Sequence, residues 1–494
     1  MLTIKRVFAV VVGLVLFTMG TYETLDPDMW WHLRTGELIW DSGIPREDPF
    51  SLTRLGVEWV THEWLTEAVM WLAVATGGLV ALSVLFACLS AAAFWLVFRC
   101  SAGQPYLAGA VTLVAAFAAS PSFGARPQVM NMLFMAMFVF VVERVREGRY
   151  APRILLWLPL LTVAWVNFHS GYLLGVVVLL TYAAGELAEI VVPSPAARAA
   201  DAPGGDATRV RWLVGVAVAC FVAALANPNG WHLWTYPFGT LGSDLMQQNI
   251  VEWTSPDFHL PMYWPFAAML FVGVASWAVA PRRPPWTDVL LFLGTAAAGL
   301  MSRRHIALFA IVATPVVARS LYDNLRATHV YRLVHDAPDE PVGGVKRVLN
   351  AAILGVAVLG VLSWTGPKLA ANEATIATEY PVAAVDFIER EGLADAPVYN
   401  TYIWGGYLVW RGIRPFVDGR ADVYGDFLGE YLKTFRLTPQ WREPLEAFDV
   451  AYVLIERDNS LATLLVASDE WREIYADDVA RVLARVDPAT TESR

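Results

Sequence analysis

Repeated apolar runs dominate this sequence, and several approach the roughly 20 residues that a helix needs to cross a bilayer. Hydrophobic residues make up 56% of the 494 residues and charged residues only 17%, against about 25% in an average soluble domain. The composition therefore indicates a membrane protein with many spans. The three cysteines lie in or beside apolar runs and offer neither a disulfide framework nor metal-site spacing. No basic patch suits nucleic acid.

The runs predict eleven spans. They cover about 4–22, 79–98, 105–120, 128–143, 154–166, 171–193, 212–226, 262–280, 285–301, 305–322 and 348–364. We interpret the first as a retained helix, because no small-residue cleavage site precedes Glu23. The segment 62–76 is apolar but carries His62, Glu63 and Glu67, which favours a helix lying at the membrane interface over a twelfth span.

The distribution of arginine and lysine predicts the orientation. With a cytoplasmic N-terminus, five alternate loops that carry Arg or Lys fall inside, whereas the segment 227–261, without Lys or Arg, falls outside. The first loop, 23–78, and the last 130 or so residues also fall outside. We therefore expect a protein of the bacterial inner membrane whose C-terminal part is periplasmic.

The chain changes character near residue 365. Short β-like runs at 397–400, 415–418 and 451–455 alternate with helical stretches at 382–391 and 424–435. The expected fold is thus an α-helical polytopic bundle over 1–364, followed by a small α/β domain over 365–494.

Two carboxylates stand one residue apart just after the first span, in the sequence Asp26-Pro27-Asp28, and Trp30, Trp31 and His32 follow. A carboxylate near an apolar surface has a raised pKa and can act as a general base. Two together also suit a divalent cation such as Mg²⁺ or Mn²⁺. The alternative is that they cap the helix beginning near Met29. We interpret Asp28, Asp26 and His32 as candidate catalytic residues.

Arginines on the predicted outer side run against the orientation rule. Arg126 follows the third span, and Arg303, Arg304 and His305 lie between the ninth and tenth. Outward arginines need anionic partners, and arginine suits phosphate. These residues are candidates to bind a lipid-linked phosphate; the alternative is a structural ion pair with Glu252 or an acid of the first loop.

Further polar residues of the outer loops are candidate substrate contacts. They comprise His62, Glu63, Asn167, His169 and Glu252, with Tyr402, Trp404, Asp418 and Arg420 in the tail. Asn and His suit sugar hydroxyls but also serve as caps and turns. The tail aromatics suit stacking on sugars, and equally a domain core, while Gly405-Gly406 would allow a close backbone approach.

The acidic first loop, interface helices, many spans and outer tail together resemble the GT-C superfamily of membrane glycosyltransferases, which use polyprenyl-phosphate sugars. Oligosaccharyltransferases, protein O-mannosyltransferases and the aminoarabinose transferase of lipid A belong there. The resemblance implies an acid of the first outer loop as the catalytic carboxylate, here Asp26 or Asp28. The tail sequence Trp404-Gly405-Gly406-Tyr407 resembles the Trp-Trp-Asp-Tyr-Gly region of oligosaccharyltransferases but lacks its Asp.

The resemblance implies transfer of a sugar from a polyprenyl-phosphate donor to a periplasmic glycan, lipid or protein. The alternatives are a lipid-linked-glycan flippase or transporter, and a non-catalytic partner in polysaccharide assembly. A transporter predicts ionisable groups at mid-membrane and broken helices in matching halves, and the sequence shows neither clearly.

Overall fold

A computed structural model describes residues 3–193, 205–242, 244–280, 283–326, 328–329, 331–332 and 343–486. Each of the eleven predicted spans coincides with a helix. These helices are Ile4–Gly20, Trp64–Cys100, Tyr106–Ala119, Gln128–Arg146, Trp157–Phe168, Tyr172–Val191, Ala207–Ala223, Trp264–Ala278, Trp286–Met301, Ile306–Leu325 and Gly344–Ala370.

By length and composition, these helices fall into a longer apolar group and a shorter one. Within the described part of the chain, five are long and apolar enough to cross a membrane, namely Trp64–Cys100, Gln128–Arg146, Tyr172–Val191, Arg303–Leu325 and Gly344–Ala370. Shorter apolar helices accompany them. The helix positions follow the sequence pattern, and the number of crossings stays a prediction.

The helix Trp64–Cys100 is bent, because Gly77 and Gly78 leave the helical conformation within it. Gly78 has φ of +65°, which glycine adopts without steric cost. The bend separates residues 64–76, which the sequence analysis places at the interface, from the predicted span that follows.

The chain divides into two compact units. The first, here the bundle unit, comprises Met1–Tyr22, Ser83–Trp234 and Ile250–Leu369. The second, here the loop–tail unit, comprises Glu23–Leu82, Thr235–Asn249 and Ala370–Arg494. The residues of the first predicted outer loop thus belong to the same unit as the C-terminal residues.

A network of buried charges joins helices of the bundle unit. Arg319 donates to both oxygens of Asp288 at 2.7 Å and also pairs with Glu143. Arg146 pairs with the same Asp288, and the Tyr182 hydroxyl donates to Glu143 at 2.9 Å. Since Glu143 and Asp288 are buried, each carboxylate depends on these partners to offset its lost hydration.

The loop–tail unit contains four strands, β1 (Val398–Asn400), β2 (Tyr452–Glu456), β3 (Trp471–Ala476) and β4 (Ala480–Arg485). They form one sheet in the order β1-β2-β4-β3. β1 and β2 are parallel, and β4 is antiparallel to both β2 and β3. The helices of this unit are Met29–Ser42, Asp244–Asn249, Asn372–Glu379, Val382–Arg390, Gly405–Trp410, Ala421–Tyr424, Leu428–Phe435, Glu443–Ala447 and Ser460–Val466. The helix His232–Leu241 lies across the boundary of the two units.

A small C-terminal α/β arrangement is therefore present, but the prediction of a strand at 415–418 is wrong. The Asn400 side chain accepts from the Phe416 N–H at 2.7 Å and donates to the Val417 carbonyl at 2.9 Å. The Leu52 N–H donates a hydrogen bond to the Pro415 carbonyl, and the Thr53 hydroxyl donates one to the Phe416 carbonyl. These contacts occupy the backbone groups that a strand neighbour would use.

The helix Met29–Ser42, here the first-loop helix, packs closely within its unit. A Cβ on Gly36 would lie 2.1 Å from the Glu67 carbonyl oxygen, so glycine permits the contact with the bent helix. Trp30 packs edge-to-face on Tyr380 and Tyr407, with ring centroids 5.5 and 5.0 Å apart. The helix is thereby fixed between the bent helix and the C-terminal residues of the same unit.

Candidate active site

Asp28 begins the first-loop helix as its N-cap residue, but its side chain makes no capping hydrogen bond. Instead, Oδ1 of Asp28 accepts a hydrogen bond from Nε1 of Trp31 at 3.2 Å. Oδ1 of Asp26 accepts from the Asp28 N–H at 2.9 Å, which closes the turn before the helix. The two acids therefore differ in role: Asp26 holds the backbone, and the Asp28 carboxylate is directed to side chains.

Two glycines bring the C-terminal backbone against this turn. A Cβ on Gly406 would lie 2.5 Å from the Pro27 carbonyl oxygen, and one on Gly419 would lie 1.8 Å from Oδ1 of Asp28. Real Cβ atoms essentially never lie so close to another atom, so a side chain at either position would displace the atom that it meets. The close approach expected of Gly406 is present, and Gly419 borders the Asp28 carboxylate directly.

His32 lies one helical turn after Asp28 and faces Glu67 of the bent helix and Glu63, which immediately precedes that helix. Its Nδ1 is 3.0 Å from Oε1 of Glu67, and its Nε2 is 3.6 Å from Oε2 of Glu63. All three side chains are buried, and one ligand atom from each lies within 4.8 Å of the others. This group could hold a metal ion, whereas the sequence analysis placed the metal on Asp26 and Asp28.

A second histidine continues this cluster. Nε2 of His62 is 3.6 Å from Oε1 of Glu63 and 3.4 Å from the Tyr236 hydroxyl, which donates to Asp422 at 3.2 Å. Burial lowers the pKa of His62, but Glu63 and then Asp422 outweigh it, so the pKa lies above its usual value. Burial also raises the pKa of Asp422, against the opposing effect of His62 and Arg420.

Asp418 and Arg420 occupy a fully buried ion-pair network. Arg420 donates to Asp418 at 2.6 Å and to Asp48 of the first loop at 2.7 Å, and all three side chains have no exposed surface. Tyr424 donates to Asp418 at 2.8 Å. Burial opposes the charge on Arg420, but Asp418 outweighs it and raises the arginine pKa. These contacts assign the pair to holding the first loop and tail together.

The two aromatic candidates of the tail, Trp404 and Tyr402, differ in their burial. Trp404 is buried and donates to the Glu379 carbonyl at 3.1 Å, which places it in the core that the alternative interpretation expected. Tyr402 is only half-buried, and its backbone N–H donates to the Tyr431 hydroxyl. Burial, then the Asp28 and Asp418 carboxylates, raise the pKa of Tyr402, so it stays a protonated hydroxyl in the field of Asp28.

The predicted phosphate-binding residues gather in the bundle unit around Glu252. Arg126 pairs with Glu252, as the structural alternative anticipated. The Arg304 guanidinium lies 5.1 Å from the Trp253 ring, and Nε of Arg303 donates to the Ser255 carbonyl at 3.3 Å. Burial alone would raise the pKa of Glu252. The opposing effect of Arg126 and Arg304 is larger, so the pKa lies below its usual value. Glu252 thus faces Arg126 and Arg304, whereas Arg303 acts on the carboxylate of Asp257.

His305 belongs to the same region, with its ring 6.2 Å from that of Trp253. Asn167 and His169 lie elsewhere in the bundle unit and serve local structure. Asn167 donates to the carbonyls of Val163 and Ala226 at 2.8 Å each, and Nδ1 of His169 accepts from the Gly171 N–H at 3.0 Å. These bonds fit the cap and turn interpretation, and sugar binding by the pair stays a prediction.

Four residues that contact the candidate site residues were not predicted as site residues from the sequence, namely Asp48, Glu67, Tyr236 and Asp422. The spacing of Glu63 and Glu67 was a usable signal, because residues four apart share one face of a helix. No local pattern marks Tyr236 or Asp422, which lie 174 and 360 residues beyond His62 and meet it only through folding.

No family model and no curated protein matches this sequence. Solved structures do match nearly the whole chain. The oligosaccharyltransferase AglB from the archaeon Archaeoglobus fulgidus, in complex with an inhibitory peptide and dolichol-phosphate, is 11% identical with a TM-score of 0.52; the match covers 97% of this chain and 74% of that one.

ArnT from Cupriavidus metallidurans matches over 97% of both chains. Its structure bound to undecaprenyl phosphate is 12% identical with a TM-score of 0.51, and its apo structure is 14% identical with a TM-score of 0.53. At these identities the likeness is one of fold. The chain therefore shares its fold with these two membrane proteins, which agrees with the resemblance noted in its sequence.

Proposed function

We propose that this chain is a membrane glycosyltransferase that moves a sugar from a polyprenyl-phosphate donor to a periplasmic acceptor. The arrangement of Asp28 is the main support. Its carboxylate is spared from helix capping, held by Trp31 Nε1 and bordered by Gly419, and it acts electrostatically on Tyr402. A fixed, half-buried carboxylate of this kind suits a general base.

The reaction transfers the sugar between two oxygens. Asp28 takes the proton of an acceptor hydroxyl, whose oxygen forms a bond to the anomeric carbon while the bond from that carbon to the phosphate oxygen breaks. Asp26 fixes the Asp28 backbone through their 2.9 Å hydrogen bond, and is a positioning residue. The acceptor is a glycan, a lipid or a protein with a free hydroxyl.

The leaving group is a polyprenyl phosphate, and the proposal assigns its charge to the arginines of the bundle unit. Arg126 and Arg304 act on Glu252 and Arg303 acts on Asp257, so the three arginines exceed these two carboxylates by one charge. Charge-assisted hydrogen bonds from arginine stabilise phosphate oxygens as negative charge develops. The polyprenyl chain would lie among membrane lipids, against the apolar helices.

The likeness in fold supports this donor class, since AglB and ArnT were solved with dolichol-phosphate and undecaprenyl phosphate. The proposal places the N-terminus in the cytoplasm of a bacterium and the tail in the periplasm, from the arginine distribution.

The test uses purified full-length protein and undecaprenyl-phosphate monosaccharides, with release of undecaprenyl phosphate as the readout. Asp28→Asn should reduce release by about 10²–10⁴-fold, the usual contribution of a general base. Asp41→Asn, an exposed acid on the same helix, is the matched control and should leave release unchanged. Equal rates for wild type and Asp28→Asn would reject Asp28 as the base.

An experiment can distinguish a transporter or flippase from the proposed transferase. Protein reconstituted in vesicles would then move the lipid-linked sugar between leaflets without releasing its phosphate. A non-catalytic partner would bind undecaprenyl phosphate and show neither movement nor release. Either pattern in the wild-type protein would contradict the proposed transferase.

A further inference from the structure

We infer that His32, Glu63 and Glu67 form a binding site for a divalent transition-metal ion, such as Zn²⁺ or Mn²⁺. His32 and Glu67 come from two helices that Gly36 allows to pack closely, and Glu63 immediately precedes the second of them. The Glu67 N–H donates to the Glu63 carbonyl at 3.1 Å, so these two residues lie one helical turn apart. His32 faces them from the first-loop helix.

Charge is the first argument for a cation. His32, Glu63 and Glu67 are 2%, 8% and 1% exposed. The two carboxylates meet the imidazoles of His32 and His62, and the charge of a buried carboxylate is costly unless a cation or protons offset it. A dication bound by the two carboxylates and a neutral His32 imidazole supplies such a cation.

An unsatisfied atom is the second and independent argument. Oε2 of Glu67 is buried and has no hydrogen-bond partner in the described part of the chain, although Oε1 is bonded to His32. A buried carboxylate oxygen without a partner is costly, which calls for an explanation such as an ion. This oxygen belongs to the residue that already touches His32.

The distances suit a small ion after a modest contraction. Nε2 of His32 and Oε2 of Glu63 are 3.6 Å apart, close to the roughly 3.3 Å between two ligands of a tetrahedral zinc with bonds of about 2.0 Å. Nδ1 of His32 is 3.0 Å from Oε1 of Glu67, so the one imidazole lies beside both carboxylates.

The ligand types select the metal. An imidazole together with carboxylates suits Zn²⁺ or Mn²⁺, whereas Mg²⁺ and Ca²⁺ prefer oxygen ligands alone. The site therefore differs from the Asp26 and Asp28 site expected from the sequence. His32 lies one helical turn from Asp28, and its N–H donates to the Asp28 carbonyl at 3.2 Å. A role in catalysis would follow from this position, and that part rests on the proposed function.

The experiment measures metal binding by the full-length protein, stripped with a chelator and titrated with Zn²⁺ or Mn²⁺ in a calorimeter. The wild type should bind one ion, with Mg²⁺ failing to compete. Glu67→Gln and His32→Gln should weaken binding by at least about 10–100-fold. Glu58→Gln changes an exposed acid of the same loop and should bind like the wild type.

Thermal unfolding of each variant checks that the fold is intact, and Glu67→Gln retains the shape of the side chain if His32→Gln does not fold. A wild type that binds neither metal, or Glu67→Gln binding as tightly as wild type, would overturn the site. It would leave His32 as an imidazole that contacts two carboxylates without a metal. Full release activity without metal would refute only the catalytic part, whereas metal binding without any release would count against the proposed function alone.

Discussion

Replacing Gly419 by alanine should displace the proposed base without removing it. A Cβ built on Gly419 would lie 1.8 Å from Oδ1 of Asp28 and 3.0 Å from its Cγ. Alanine itself fits the backbone, since the φ of Gly419 is not positive. The atom that must yield is the end of a short side chain, so the fold can accept the change while the carboxylate moves.

The size of the displacement follows from the contact distance. Carbon–oxygen contacts of this kind essentially never fall below 3.0 Å, so Oδ1 must move by at least 3.0 minus 1.8, or about 1.2 Å. The move also disturbs the 3.2 Å hydrogen bond from Trp31 Nε1. A misplacement of about 1 Å in a catalytic group can cost about 10²-fold in rate.

We therefore expect Gly419→Ala to lower kcat for undecaprenyl phosphate release by about 10²-fold. KM for the donor should change little, because the proposal assigns the phosphate to other residues. Gly429→Ala is the matched control, since Gly429 lies in the helix Leu428–Phe435 and a Cβ there meets nothing within 4 Å. Thermal unfolding of both variants shows whether the domain is intact.

Turnover of donor by Gly419→Ala at the wild-type rate, with an unchanged melting temperature, would contradict this prediction. The position of Oδ1 would then not matter, and Asp28 would not be the base. A large loss of stability in Gly419→Ala would instead show that the backbone, not the carboxylate, had moved, contrary to the expected yielding of the side chain.

Three further outcomes are expected. Arg304→Ala should weaken undecaprenyl phosphate binding by about 10–100-fold, equivalent to a charged hydrogen bond of roughly 1.5–3 kcal/mol, as measured by native mass spectrometry; unchanged affinity would leave only its contact with Trp253. Arg319→Ala should lower the free energy of unfolding by about 3–5 kcal/mol, because two buried carboxylates lose a partner; the exposed Arg326→Ala is the control, and equal stability of the two would contradict the network. Asp469→Cys, in a Cys88→Ser background, should react with an impermeant thiol reagent in intact spheroplasts, and reaction only after lysis would overturn the predicted orientation.

The sequence alone predicted where the helices lie. Apolar runs report local burial in lipid or protein, so every predicted span coincides with a helix. The likeness to the GT-C fold was also readable, from the acidic first loop and the change of composition near residue 365. The strand at 415–418 failed because a single side chain, Asn400, bonds to its backbone.

The composition of the site was decided by tertiary structure. Asp28 was found because its neighbours in sequence are unusual, but Gly419 reaches it from 391 positions away. Likewise, the sequence offered Asp418 and Arg420 as substrate contacts, and only the packed structure shows them fully buried against Asp48.

The physical reason is the range of the interactions involved. Helix formation and hydrophobic burial depend on residues a few positions apart, so a periodic sequence is enough to determine them. Ion pairs, metal ligands and glycine contacts depend on which surfaces meet. His32 gains Glu63 and Glu67 as partners only because Gly36 lets two helices approach, a choice that no local pattern records.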